Sequence, residues 1–188
     1  MKNITSSLYL SGQTVFTSDE IAILWQETNP KNLKGKINYY VNSGILKSLR
    51  RGIYALSGKP YDSLELATRI FIPSYVGLET VLAKEGVIFQ HYDSIFVLTY
   101  QTRDLEVSGN KLAFRKVNSV ILSNPLGIIV HPFYSIATKE RAFLDLLYLS
   151  GQPYFDNLEP LDWDFCRQIL PIYNNKALIA RFETYVKH

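Results

Sequence analysis

The chain has 188 residues, 47% hydrophobic and 20% charged, with a net charge of +3, the composition of one or two folded domains rather than a disordered or low-complexity chain. No apolar run reaches the roughly 18–20 residues of a membrane span, and Met1 to Phe16 lacks the apolar core of a signal peptide, so a cytoplasmic protein is expected. Cys166 is the single cysteine, which excludes an intrachain disulfide framework and a multi-cysteine zinc site.

In chain order, a short helix is predicted over Ile4 to Leu10, ending near Gly12, and then a brief apolar stretch, Thr14–Val15–Phe16. Thr17-Ser-Asp-Glu20 has capping-box spacing, with the Thr17 hydroxyl and the Glu20 carboxylate each able to satisfy an orphan backbone N–H. The helix that follows buries Ile21, Leu24 and Trp25 and stops before Asn29–Pro30. A further helix fits Lys31 to Ser43, with Gly44 as its stop and Leu33, Ile37, Tyr40 and Val41 as one apolar stripe. Next, Ile45 to Leu49 and Ile53 to Leu56 read as two strands joined by a tight Arg50–Arg51–Gly52 turn.

Charge is concentrated in this first third. Residues 1–58 carry Lys2, Lys31, Lys34, Lys36, Lys47, Arg50 and Arg51 against Asp19, Glu20 and Glu27, whereas residues 59–188 hold 13 basic and 14 acidic residues. Six basic residues and no acidic one lie between Lys31 and Arg51. Such a segment in an otherwise balanced chain is an electrostatic footprint for a polyanion, although a solvated face would look the same by charge alone. The order helix, strand, helix, helix, basic-tipped hairpin is that of a winged helix-turn-helix, which sets its last helix in the major groove of double-stranded DNA and its wing on the backbone or minor groove. Lys31, Lys34, Lys36, Lys47, Arg50 and Arg51 are then the phosphate-facing candidates, and Asn32, Asn38, Tyr39 and Asn42 offer donors and acceptors for base edges.

Ser57–Gly58–Lys59–Pro60 marks a boundary, giving a 1–58 winged helix and a 59–188 α+β unit, an effector or oligomerisation domain with a mainly antiparallel sheet. In the second unit helices are predicted over Leu64 to Phe71 and from a Ser74 cap through Lys84. Strands are predicted at Ser94 to Gln101, Leu105–Val107, Leu112–Val117, Val120–Leu122 and Ile128–His131, the second and third of these joined by a Ser108–Gly109–Asn110 turn. Thr138 caps a helix over Lys139 to Leu149 that is apolar nearly all round, and further helices fit Trp163–Leu170 and Lys176–Val186.

Little in the chain suggests catalysis. Glu140, Arg141 and Asp145 are the charged residues of the apolar helix beyond its first position, Lys139. Arg141 and Asp145, four apart, read more simply as an ion pair, worth roughly 0.3–0.5 kcal/mol if exposed, than as a general acid and base. His91, His131 and His188 lack metal-ligand spacing, and no nucleophile elbow, phosphate-binding loop or dinucleotide fingerprint is present. A metal-dependent nuclease wants carboxylates converging from strands, but only Asp93, Asp104 and Glu106 flank the strands here. The expectation is therefore a non-enzyme with no cofactor and no metal. A winged helix that docks protein rather than DNA is the alternative, and a nuclease the more remote one.

Four segments, Gly12-Gln-Thr-Val-Phe-Thr17, Gly44-Ile-Leu-Lys-Ser-Leu-Arg-Arg-Gly-Ile-Tyr-Ala-Leu56, Ile72-Pro-Ser-Tyr-Val-Gly-Leu-Glu-Thr-Val-Leu-Ala-Lys-Glu-Gly86 and Ile136-Ala-Thr-Lys-Glu-Arg-Ala-Phe-Leu-Asp-Leu-Leu147, together resemble the AbiEi-type antitoxin family of bacterial abortive-infection systems, over about residues 5–150. The resemblance implies a winged helix that represses its own operon at an operator of inverted repeats, and a second domain contributing antitoxicity. It also implies a functional partner, a nucleotidyltransferase-like toxin, counteracted without a stable complex. The family's DNA-contacting elements map onto the Lys31–Asn42 helix and the Lys47–Arg51 wing.

Overall fold

A computed structural model describes residues 4–151 and 153–186; Lys2 and His188 lie outside them. The first helix, α1, is Ile4–Leu10, followed by β1 (Val15–Thr17), α2 (Ser18–Trp25), α3 (Pro30–Asn42), β2 (Leu46–Arg50) and β3 (Ile53–Leu56). The capping box forms as expected: the Glu20 N–H donates to the Thr17 hydroxyl (3.2 Å), and the Glu20 carboxylate accepts from the Thr17 N–H (2.8 Å). Asn29 caps α3 by accepting from the Lys31 and Asn32 N–H groups, with Pro30 in the first turn, where its missing N–H is no loss. The strands form an antiparallel sheet in the order β1-β3-β2. Leu8, Phe16, Ile21, Ile37, Leu46 and Leu56 are buried together, and Leu24, Trp25, Leu33, Tyr40 and Val41 pack at their margin. Each fully buried side chain of this size stabilises by roughly 1.5–3 kcal/mol, so this apolar stripe is what fixes α3 on the sheet.

From residue 63 onward come α4 (Ser63–Ile70), β4 (Tyr75–Val76), α5 (Leu78–Lys84), β5 (Ser94–Thr99), β6 (Arg103–Val107), β7 (Asn110–Lys116), α6 (Ser119–Ser123), β8 (Ile128–Val130) and β9 (Ser135–Ala137). These are followed by α7 (Lys139–Leu149), α8 (Trp163–Ile169), a 3-10 turn (Leu170–Tyr173) and α9 (Lys176–Val186). Six strands make one sheet in the order β6-β7-β5-β4-β9-β8. Its pairing is mixed: β6–β7, β4–β5 and β8–β9 pair antiparallel, while β5–β7 and β4–β9 pair parallel. The 11-residue helix α7 is buried from Glu140 through Leu147, in the same apolar cluster as residues of α5, α8 and α9.

Three local expectations are corrected. Ser74 does not cap a helix: its hydroxyl donates to the Thr68 carbonyl, and Tyr75–Val76 form a central strand between β5 and β9. Helix α5 starts only after Gly77, where an added Cβ would lie 2.6 Å from Leu98 Cδ1. Val120–Leu122 belong to α6 rather than to a strand, since Asn118 caps the turn by accepting from the Val120 N–H, the local competition by which Asn favours helix starts. Strand β9, unmarked in the sequence reading, pairs with both β4 and β8.

The chain passes between the two sheets through residues 57–62, and a common apolar cluster joins them. Val15, Leu49, Ile53 and Ala55 from the first sheet are buried with Leu66 and Ala67 of α4 and with Val97, Val107, Leu112 and Phe114 of the second. Helix α4 is the middle layer of that contact. Among the described residues no helix is long and apolar enough to cross a membrane.

Candidate nucleic-acid interface

The burial of Ile37 on α3 decides which of its residues face outward. Lys31, Lys34, Asn38 and Asn42 recur at i, i+3, i+7 and i+11, which keeps them on one side of a helix turning every 3.6 residues, and all four are exposed. Asn32, Lys36 and Tyr39 lie on the other side of the exposed face. Tyr39 is 66% exposed and packs edge-on against Tyr40, which in turn meets Trp25, with ring centroids 5.3 Å apart in both pairs.

The hairpin supplies the second part. In β2 the side chains of Lys47 and Ser48 are exposed and those of Leu46 and Leu49 are buried, while the pairing with β3 shifts register between Ser48 and Arg50. Gly52 takes a positive φ of 80°, the left-handed conformation a side chain disfavours, and its carbonyl accepts from the Ser18 N–H at 2.9 Å. The turn is thereby tied to the first residue of α2, leaving Arg51 exposed and Arg50 half-buried.

Between helix and hairpin runs an open cleft of about 510 Å³, lined by Leu33, Lys34, Ile37 and Asn38 of α3, by Arg51, Gly52 and Tyr54 of the hairpin, and by Ser18 and Asp19 of α2. The structure thus brings Lys34, Asn38 and Arg51 to one cleft. Lys31, Asn42, Lys47 and Arg50 lie on the elements bordering it, and Asn32, Lys36 and Tyr39 face elsewhere. Lys31, Lys34, Lys47, Arg50 and Arg51 have no ion-pair partner among the described residues. Lys36 differs: its ammonium meets the Glu27 carboxylate at 2.5 Å, and that hydrogen bond lowers the Glu27 pKa from its ordinary value. Asp19 and Tyr54 were not singled out from the sequence. In the sequence Asp19 stands out only as part of the capping segment and as one of three acidic residues before residue 59, and the place of Tyr54 on the cleft depends on β3 pairing with two strands.

The residues weighed for chemistry divide between the core and the surface. Arg141 and Asp145 have no exposed side-chain surface, so the surface-pair magnitude does not apply. Arg141 donates to the Leu126 and Ile121 carbonyls (2.8 and 2.7 Å) and to the Tyr75 hydroxyl (3.1 Å), while Asp145 accepts from Tyr75 (2.9 Å) and Tyr173 (2.6 Å). Burial, and then the negative charge of Asp145, hold the Tyr75 and Tyr173 phenols well above their ordinary pKa. Burial also pushes the Asp145 carboxyl up, against the pull of Arg141 and the two phenols. Cys166 is fully buried, and burial pushes its thiol up to about 12, which leaves it protonated and unreactive at neutral pH. His91 and His131 are exposed on separate segments, and no group of three His, Cys, Asp or Glu residues is placed to hold a metal among the described residues.

No protein-family model matches the chain, and no curated protein matches it. Among solved structures it is similar in fold to the crystal structure of RV2827C protein from Mycobacterium tuberculosis, with a TM-score of 0.54 and 11% sequence identity over 95% of this chain and 73% of that one. At that identity the likeness is one of fold.

Proposed function

We propose that this protein binds double-stranded DNA in a sequence-specific manner, with residues 1–58 acting as a winged helix-turn-helix. In this reading α3 enters the major groove and the β2–β3 hairpin is the wing. The observation that carries it is the set of basic side chains Lys31, Lys34, Lys47, Arg50 and Arg51, which lack ion-pair partners among the described residues and sit on the two elements that border one cleft. Cations left unneutralised by the fold are free to release counterions from a phosphate backbone, the main source of affinity for nucleic acid. Arg50, Arg51, Lys31, Lys34 and Lys47 hold phosphates in this reading, and Asn38, which lines the cleft, reads base edges.

By its resemblance to the AbiEi-type antitoxins, the protein is further proposed to repress its own operon at inverted repeats. Residues 59–188 would contribute to counteracting a nucleotidyltransferase-like toxin without a stable complex, and no catalysis is assigned to them. The test is fluorescence anisotropy of the protein against its own upstream DNA and a scrambled duplex across a salt series. Tighter binding to the native sequence, weakening steeply with salt, is the expected result. Absence of binding to either duplex at low salt would overturn the reading and turn attention to a protein partner for the same face.

A further inference from the structure

The segment that begins the helix-turn-helix is held from outside itself. Glu20 closes the capping box of α2 through one carboxylate oxygen, and through the other it meets Arg69 Nη1 of α4 at 2.9 Å and accepts from Gln13 Nε2 at 3.2 Å. Arg69 also reaches Glu65 at 3.4 Å. Glu65, 1% exposed, accepts from both the Thr14 N–H (3.0 Å) and the Thr14 hydroxyl (2.5 Å). One guanidinium therefore joins two carboxylates that fasten the chain just before β1 and the start of α2.

This contact has little freedom. The side chains are 16% exposed for Arg69 and 25% for Glu20, and α4 is fixed on its other face by Leu66 and Ala67 in the cluster common to both sheets. On the hairpin side the second half leans on the wing as well: Leu49 is buried with Val107, and Ser108 Oγ lies 3.5 Å from the Leu49 carbonyl. The start of α2 and the hairpin thus both rest on residues after 60, and α3 packs on these two elements through the cluster of Phe16, Ile21, Ile37 and Leu46.

Building on the DNA-binding reading, we propose that Arg69 is a positioning residue for sequence recognition. Through Glu20 it sets the pose of α2 and hence the angle at which α3 is presented, without touching DNA itself. Base contacts require side chains held to within a fraction of an ångström, whereas attraction to phosphates tolerates displacement. Losing Arg69 should therefore lower the preference for the native sequence and leave non-specific affinity in place. Plain unfolding would lower both alike.

The experiment compares Arg69→Gln and Arg69→Lys with the wild-type full chain, at a temperature where thermal melts show all three folded, against the upstream duplex and the scrambled one. Arg69→Gln is expected to lose about tenfold in affinity for the native duplex, the scale of one lost base contact, with the scrambled duplex unchanged. Arg69→Lys, which keeps the charge opposite Glu20, restores most of the difference. Equal weakening for both duplexes, or no change for either, overturns the proposal. If the wild type binds neither duplex, the DNA-binding reading falls instead, and amide hydrogen exchange decides the role of Arg69. Faster exchange in α2 with α7 unaltered sustains the positioning role, and unaltered exchange in α2 overturns it.

Discussion

Arg141 and Asp145 face each other one turn apart on α7, and both side chains are sealed from solvent. Their ion pair is completed by two phenols from distant segments, Tyr75 of β4 and Tyr173 of the 3-10 turn. Arg141 also donates to the Ile121 and Leu126 carbonyls, so its guanidinium gathers α6, the segment before β8 and the central strand, while Asp145 adds the 3-10 turn through Tyr173. Removing one member of a buried pair leaves the other charged and unmatched, a loss of about 3–5 kcal/mol. Asp145→Ala should lower the midpoint of thermal unfolding by about 6–20 °C. Tyr173→Phe should cost about 1–3 kcal/mol, since it removes a single donor. Thermal melts followed by circular dichroism measure the first, and urea titrations the second.

The same cluster predicts how stability varies with pH. Tyr75, Tyr173 and Cys166 have folded-state pKa values raised above their unfolded ones, so above the unfolded values the folded state binds more protons than the unfolded. Their contribution is complete below about pH 8.5 for the thiol and about pH 10 for the phenols. It is lost as pH rises through the folded values. Alkaline unfolding should therefore begin between about pH 9 and 10 and shift upward in the Cys166→Ala variant. An unfolding midpoint that does not move with pH over that range would contradict the assignment.

Wing and helix cations should separate in their salt dependence. Replacing Arg50 and Arg51 together with alanine should weaken binding to native and scrambled duplexes alike and reduce the slope of log affinity against log salt by about two. A slope that stays unchanged would remove the hairpin tip from the interface.

Lys34 and Lys36 lie two residues apart on α3 and should behave differently. Lys34 lines the cleft and has no carboxylate partner among the described residues, whereas Lys36 is already neutralised by Glu27. Lys34→Ala should reduce the salt slope by about one, and Lys36→Ala should change it by much less. Equal effects of the two substitutions would mean that the Lys36–Glu27 pair opens on binding.

Asn38 tests the reading of sequence itself. Asn38→Ala should cost about 1–3 kcal/mol against the native duplex and nothing against the scrambled one. The difference between the two titrations, rather than either affinity alone, is the quantity that checks it.

The elements legible in the sequence were those whose signals are local. The Thr17 and Glu20 capping box, the stop at Asn29–Pro30, the Gly52 turn and the Thr138 cap all act within a few residues, and the helices and hairpin they delimit lie where the sequence placed them. Tyr75–Val76 and Ser135–Ala137 are too short to announce themselves, and they are strands because β4 finds β5 on one side and β9 on the other. The face of α3 was readable from the spacing of Leu33, Ile37 and Tyr40. The withdrawal of Lys36 by Glu27 was not, since it depends on how the chain turns between α2 and α3. For the same reason Arg141 and Asp145 could be paired from their spacing, while the burial that makes the pair consequential comes from Tyr75 and Tyr173, far away in the chain.

The placement of the tryptophans gives the molecule a built-in optical reporter. Of the two in the chain, Trp163 packs against Phe143 and Phe182 in the larger core, whereas Trp25 sits beside Tyr40, whose other neighbour is the exposed Tyr39 of α3. In a Trp163→Phe variant the remaining indole emission would come from the end of α2, ring against ring with Tyr40 of α3. A ligand arriving at that helix would then announce itself as a change in colour or intensity of the protein's own fluorescence, with no dye attached to the protein or to the DNA.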